Sequence, residues 1–237
     1  ARTTGKITGA AMLFFLCTTA LASFVGLIIP RLICLGKGVS FKMATSDIQA
    51  TKMDSILDTV KGLIPSNPVS AFAEGIMYFT PIGVFCTIVP VVEANGTKTI
   101  VSLATQLIIL YVAFFGFAFV VYGGAVSILG KTSPVKFFKA IMPAALNAFG
   151  TCSSSATIPL SKSCVEDELG VPNQISSITI PLGATVNMDA VSILMSFMIM
   201  FFANACGVHV SIPMMIIILL ANVLLSVGTP GIPGGAI

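Results

Sequence analysis

One acidic side chain, Asp189, is the strongest constraint on how this chain folds. It is the only charged residue between position 169 and the end of the sequence, and apolar segments flank it on both sides. A carboxylate at the depth of a lipid bilayer costs about 3 kcal/mol even on the lenient insertion scale, so it normally faces a partner, an ion or a water-filled cavity. The sequence therefore predicts that Asp189 belongs to a functional site. The alternative is a carboxyl group that is neutralised by a proton or hydrogen-bonded to a neighbouring helix.

The composition is that of a membrane protein. Hydrophobic residues make up 56% of the 237 residues and charged residues only 9%, whereas about a quarter of a soluble domain is charged. At about 20 residues per span, the chain has room for six or seven membrane segments. Lysine and arginine fall in the polar connections, so the net charge of +3 concerns membrane topology and does not indicate nucleic-acid binding. We expect an all-α integral membrane protein.

The residues before Asp189 predict a break in its helix. Asn187 contributes an amide oxygen and Thr185 a hydroxyl, which are hard oxygen ligands that suit a small cation. An unwound turn here would also free backbone carbonyls. Discontinuous helices of this kind hold substrate and coupling ions near the bilayer midplane in transporters.

Two later stretches, residues 148–159 and 225–235, resemble each other. Each follows an apolar run of about half a membrane thickness, contains Gly-Thr, passes through small residues and reaches a proline. Such clusters predict helix-turn-helix hairpins that enter and leave the membrane on one side, with irregular backbone only where it lines protein or water. The segment that carries Asp189 lies between them in the sequence. If the two hairpin tips meet in space, the sequence predicts that they meet at this helix.

The first of these stretches contains the serine run Ser153, Ser154 and Ser155. At a hairpin tip, these hydroxyls and the N-H groups that begin the next helix would bind an anion, and a substrate carboxylate is the expected one. The alternative is a packing motif, because small residues let helices approach closely. An enzyme is not predicted: the run is not a Gly-x-Ser-x-Gly elbow, and the single histidine, His209, falls in a predicted loop.

The spacing of lysines predicts the orientation in the membrane. Residues 100–122 form a clean predicted span, and residues 123–139 after it carry three lysines and no acid. The positive-inside rule places this predicted loop in the cytoplasm.

Three stretches resemble the sodium-coupled dicarboxylate and amino acid symporter family, the glutamate transporter homologues. They are 153–159 (SSSATIP), 181–189 (PLGATVNMD) and 226–234 (SVGTPGIPG). The resemblance implies a glutamate-transporter-like transport domain with two re-entrant helical hairpins and a broken helix, apparently truncated. Residues 1–36 would be a membrane helix of that domain, 37–99 partial scaffold segments with an extramembrane loop, and 100–237 the transport-domain core.

The resemblance also implies the site. One sodium ion would be held by Asn187, Asp189, Thr18 and Thr19, a second by backbone near Thr185 and at Ser226, Val227 and Thr229, and a third by carbonyls of Gly183 and Asn187. Substrate would contact Ser153, Ser154 and Ser155, with the tip of Gly231, Ile232, Pro233 and Gly234 closing over it. The implied partners are co-transported Na⁺ without an organic cofactor, a small-molecule substrate, the lipid bilayer of a plasma or bacterial inner membrane, and two further copies in a homotrimer.

Departures from the family pattern bear on the substrate. The family has Gly-Thr after the Asp, whereas this chain has Ala190-Val191, so the hydroxyl that reaches the distal carboxylate of acidic substrates is absent. We therefore expect sodium-coupled, elevator-type symport of a neutral amino acid more than an acidic one, with a dicarboxylate as a further candidate. Family segments are also missing at both ends and near residues 75–76. Proton coupling, and a non-transporting or channel-like protein on the same scaffold, are the alternatives.

Overall fold

The structure, a computed structural model, describes residues 2–36, 97–229 and 231, and within these ranges the regular elements are all helical. They are α1 (Arg2–Ile33), α2 (Thr97–Phe117), a π-helical turn (Ala118–Tyr122), α3 (Gly123–Ile128), α4 (Pro134–Thr151), α5 (Ser154–Ser163), a second π-helical turn (Cys164–Glu168), α6 (Asn173–Val186), α7 (Asp189–Ala205) and α8 (Ile212–Gly228). The predicted scaffold segment 37–99 lies outside the described residues apart from its last three positions, which begin α2. The predicted tip residues Ile232, Pro233 and Gly234 also lie outside them.

Three described stretches are long and apolar enough to cross a membrane: Thr4–Ile33, Ile100–Ile128 and Asn173–Ala205. Large hydrophobic side chains such as Leu32 and Ile128 lie exposed on their surfaces, as they do in helices that face lipid. The prediction of an all-α integral membrane protein is confirmed.

The core forms where α1 packs against α7, with α8 against both. Ala22, Ile193 and Phe197 are at most 1% exposed. A Cβ atom at Gly26 would lie 2.6 Å from the Cβ of Ser196. Because small residues let helix backbones approach closely in membranes, Gly26 sets the distance between these two helices.

The first predicted hairpin is present as a helix-turn-helix. Its turn is made by Cys152, in the left-handed conformation with φ of 50°, and by the extended Ser153. Ser153 caps α5, since its Oγ accepts from the N-H of Ala156 at 3.1 Å. From this turn α5 packs back against α4 and also against α6. That the hairpin enters and leaves a membrane on one side stays a prediction.

The break in the Asp189 helix is confirmed. Helix α6 ends at Val186 and α7 begins at Asp189, and the linking residues Asn187 and Met188 have non-helical ψ angles of 71° and 55°. Helix α8, the predicted first half of the second hairpin, ends at Gly228. Its return half lies outside the described residues.

The predicted loop through residues 123–139 is wrong in extent. The chain stays helical through the π-helical turn and α3, and α4 already begins at Pro134, so only residues 129–133 are irregular. Apolar residues after Gly123-Gly124 let the helix continue, and Pro134 at the first helical position suits a helix start. Two of the three lysines, Lys136 and Lys139, therefore lie on α4.

Candidate functional site

Asp189 lies at the helix break and is only 4% exposed. Each of its carboxylate oxygens accepts one hydroxyl hydrogen bond: Thr19 Oγ1 donates to Oδ1 at 2.7 Å, and the Tyr122 hydroxyl donates to Oδ2 at 2.5 Å. Both lengths lie within the normal range for O-H···O hydrogen bonds. Helices α1, α2 with its π-helical turn, and α7 therefore converge on one buried acidic group.

A second polar pair lies beside the first. The hydroxyl of Thr18, 3% exposed, is 3.0 Å from Asn187 Oδ1 and 3.0 Å from the carbonyl oxygen of Phe15. Thr18 and Thr19 are adjacent on α1, as Asn187 and Asp189 are nearly adjacent at the break. The structure thus brings together all four side chains expected around the first sodium ion. Their hydroxyl, amide and carboxylate oxygens form a donor set that fits a hard cation.

Sequence analysis missed Tyr122. It is the last residue of the π-helical turn Ala118–Tyr122, and single π-helical turns inside α-helices are frequent at functional sites. The ring packs edge-to-face on Phe117, with centroids 5.7 Å apart. A tyrosine in an apolar segment needs a hydrogen-bond partner for its hydroxyl, which is the signal that could have drawn attention to it, although tyrosines are also common at the ends of membrane helices.

The serine run meets the Gly231 segment. The Gly231 carbonyl oxygen accepts from Ser153 Oγ at 3.0 Å and from the Ser155 N-H at 3.0 Å. A Cβ atom at Gly231 would lie 2.7 Å from the carbonyl oxygen of Ala184, near the end of α6. The serine run and Gly231 therefore meet beside the end of α6. That these residues are the tips of two hairpins stays a prediction. The ligand roles expected of them stay predictions.

A cleft of about 480 Å³ is lined by residues of α4, α5 and α6 and by Phe15 of α1. Its walls are mostly apolar, with Phe15, Ile158 and Ala184 among them, whereas Ser154 and Asn187 supply polar atoms. The serine run and the helix break thus both contribute residues to the cleft. A mostly apolar lining with a few polar atoms suits a solute with one polar end and one apolar end.

The remaining expected ion ligands are placed differently. Thr185 is exposed, and its hydroxyl is within 3.3 Å of carbonyls in its own helix, those of Pro181 and Leu182. The Gly183 carbonyl accepts the Asn187 N-H at 3.0 Å. These hydrogen bonds lie within α6 and the residue that follows it, and none of them is made to Asp189.

The expected ligands on α8 lie at its C-terminal end. Ser226 is fully buried, Val227 is half-buried, and the half-buried Thr229 bonds through its hydroxyl to the Leu225 carbonyl at 2.9 Å. His209 is exposed in the connection between α7 and α8, as expected of a loop histidine.

Comparison with known proteins agrees with this arrangement. Residues 1–77 and 73–237 match the profile of the sodium:dicarboxylate symporter family. The chain is 33% identical to the neutral amino acid transporter B(0) of Mus musculus over 164 residues, which are 68% of this chain and 30% of that protein. It is 28% identical to the C4-dicarboxylate transport protein of Agrobacterium fabrum over 280 residues, covering 97% of this chain and 62% of that protein. It is 25% identical to the proton/sodium-glutamate symport protein of Bacillus caldotenax over 281 residues, covering 97% and 66%.

The chain spans between 30% and 66% of the length of these curated relatives. The two matched segments meet at residues 73–77, where the sequence predicts a missing stretch. The alignment with the Agrobacterium protein runs to 280 positions although it takes in only 97% of the 237 residues here. That relative therefore carries internal residues with no counterpart in this chain.

Proposed function

Because the chain belongs to the sodium:dicarboxylate symporter family, we propose that it carries out sodium-coupled symport of a small carboxylate-bearing solute across a membrane. The observation that carries this proposal is the buried Asp189 at a helix break, surrounded by Thr18, Thr19 and Asn187 and close in the fold to the junction of the serine run with Gly231. Ion ligands and an anion-binding helix start thus share one region of the molecule.

The ion site supplies the driving force in this proposal. A sodium ion bound at Asp189 places a full positive charge next to the carboxylate. Its binding orders the break between α6 and α7, and Gly231 packs against Ala184, two residues before α6 ends. Sodium therefore favours the conformation in which the Gly231 segment is closed. It does so to the extent that it binds this closed conformation more tightly than the open one.

The substrate carboxylate binds at the start of α5. In the structure, the Ser153 hydroxyl and the Ser155 N-H donate to the Gly231 carbonyl. A carboxylate is a stronger acceptor for the same donors, and the helix N-terminus favours its charge. The Gly231 segment therefore withdraws to admit substrate, closes over it, and the loaded domain moves across the membrane in an elevator-type motion.

A neutral amino acid is the favoured substrate. Val191, near the start of α7, offers no hydroxyl to a distal carboxylate, and the cleft beside Asn187 is mostly apolar. The 33% identity to a neutral amino acid transporter supports this assignment. A C4-dicarboxylate is the second candidate, supported by the relative that the chain matches over nearly its whole length.

The test is counterflow uptake with neutral amino acids, acidic amino acids and dicarboxylates, with and without sodium, in Asp189→Asn and unchanged protein. We expect sodium-dependent uptake of one class, and its loss in Asp189→Asn, because the amide removes the charge that binds the ion. Glu168→Gln is the control, since it also replaces a carboxylate by an amide, at an exposed position. Sodium dependence that persists in Asp189→Asn would rule out the assignment.

Proton coupling is the alternative that one relative favours, since it is named a proton/sodium-glutamate symport protein. A lone membrane carboxyl can carry either ion. Uptake that follows an imposed pH gradient without sodium would select the proton. Solute-independent ion current without uptake would instead indicate a channel-like protein. The proposed homotrimer predicts three copies by mass measurement of the purified complex.

A further inference from the structure

A second polar group lies buried between α1, α7 and α8, separate from the ligands discussed above. The hydroxyls of Ser23 and Ser196 are 3.1 Å apart. Asn222 Nδ2 donates to Ser196 Oγ at 2.8 Å and lies 3.4 Å from Ser23 Oγ. None of the three is more than 2% exposed. Three helices are thus linked by buried polar side chains.

Two neighbouring hydroxyls differ from all of these. Ser192 and Ser226 are 1% and 0% exposed, and neither hydroxyl has a hydrogen-bond partner among the described residues. Several other helical hydroxyls bond back to their own backbone, as Ser127 does to the Gly123 carbonyl at 2.9 Å. A buried hydroxyl without a partner is costly, so each such group in a native structure requires an explanation.

The helix register places these two hydroxyls at the same level of α7 and α8. Helices α7 and α8 pack together and are joined by the short connection 206–211, so they run antiparallel. Ser196 and Asn222 are bonded across this pair. Ser192 is four residues before Ser196 on α7, and Ser226 is four residues after Asn222 on α8, so both lie one turn farther toward the same end.

Asp189 lies at this same end of α7, as its first residue. It is three residues before Ser192 and therefore on the same face of α7. The ligand at this level must accept hydrogen bonds, because Ser192 and Ser226 each have a hydroxyl proton to donate. A water molecule accepts two such hydrogen bonds and can donate two to other oxygens, such as those of the carboxylate.

We propose that Ser192 and Ser226 bind one internal water molecule about a helical turn from Asp189, and that this water links α8 to the ion site. Buried waters of this kind typically have two to four polar partners and are costly to remove. Helix α8 leads directly to Gly231, so the water connects the ion-binding helix with the segment that contacts the serine run. This second half of the proposal rests on the proposed function.

The water itself is tested by stability. Ser192→Ala, Ser226→Ala and the double variant are compared by thermal unfolding of the protein in detergent, with Ser127→Ala as the matched control. We expect each single variant to lower the midpoint, and the double variant to lower it no further than the larger single effect, because both hydroxyls serve one water. If no water binds the two hydroxyls, each substitution should raise the unfolding midpoint, because removal of an unsatisfied buried polar group stabilises a protein. A raised or unchanged midpoint, or additive effects, would overturn the proposal.

The link to the ion site is tested by transport. In unchanged protein and in Ser127→Ala, sodium should lower the substrate concentration for half-maximal uptake. In Ser192→Ala and Ser226→Ala, we expect this effect of sodium to be about threefold smaller. If a variant has a lower unfolding midpoint but sodium affects its uptake as in the unchanged protein, the water has only a structural role and the link to the ion site is refuted. If unchanged protein shows no effect of sodium at all, the proposed function fails, while the stability measurement still decides whether the water is bound.

Discussion

Tyr122→Phe is the substitution that tests the geometry around Asp189 most directly. It removes one oxygen atom, the donor that lies 2.5 Å from Asp189 Oδ2. The ring keeps its edge-to-face contact with Phe117 at 5.7 Å. The change therefore isolates one hydrogen bond to a buried carboxylate, while the packing of the π-helical turn is preserved.

The expected loss follows from the charge of the acceptor. A hydrogen bond to a charged group contributes about 1.5 to 3 kcal/mol to stability. For a chain of this size, 1 kcal/mol corresponds to a change of about 2 to 4 °C in the unfolding midpoint. Without sodium, we expect Tyr122→Phe to lower the midpoint by about 3 to 12 °C. With saturating sodium the ion itself stabilises the carboxylate, so sodium should raise the midpoint of the variant more than that of unchanged protein.

The assay is thermal unfolding of the protein in detergent across a sodium titration, with potassium or choline keeping the ionic strength constant. Tyr111→Phe is the control, because it makes the same change on α2 at a half-exposed ring that packs edge-to-face on Phe114. Equal midpoints and equal sodium responses in the two variants would refute the assignment of Tyr122 to the ion site.

Three further substitutions test other contacts. Gly26→Ala places a Cβ atom 2.6 Å from the Cβ of Ser196. We therefore expect overpacking to destabilise the protein by about 1 to 3 kcal/mol, measured as a lower unfolding midpoint. An unchanged midpoint would contradict the close packing of α1 on α7. Gly231→Ala brings a Cβ atom to 2.7 Å from the Ala184 carbonyl oxygen. We expect this clash to move residue 231 away from α6. The substrate concentration for half-maximal uptake should then change, while the expression level is preserved. Val191→Thr adds a hydroxyl near the start of α7, and uptake competition should show a gain for acidic amino acids over neutral ones; no change in that ratio would count against the proposed role of Val191.

Much of the fold follows from local sequence. Apolar runs long enough to cross a bilayer dictate helices, because backbone polar groups must be satisfied within the segment in lipid. The break before Asp189 and the turn at Cys152 also follow from short patterns of small and polar residues. Where local reasoning failed, as in the loop predicted for residues 123–139, the lysines that suggested a loop lie partly on a helix that begins at Pro134.

The site itself depends on how the helices pack. The bonds of Asp189 to Thr19 and Tyr122 join residues 170 and 67 positions apart, and that of Ser153 to Gly231 joins residues 78 apart. Nothing local determines which face of α2 turns toward α7, since that rotation results from the fit of whole helix surfaces. That a carboxylate in an apolar segment needs partners can be predicted from the sequence, because its cost in lipid depends on one residue and its neighbours. That a tyrosine from a π-helical turn is one of those partners depends on how the helices pack.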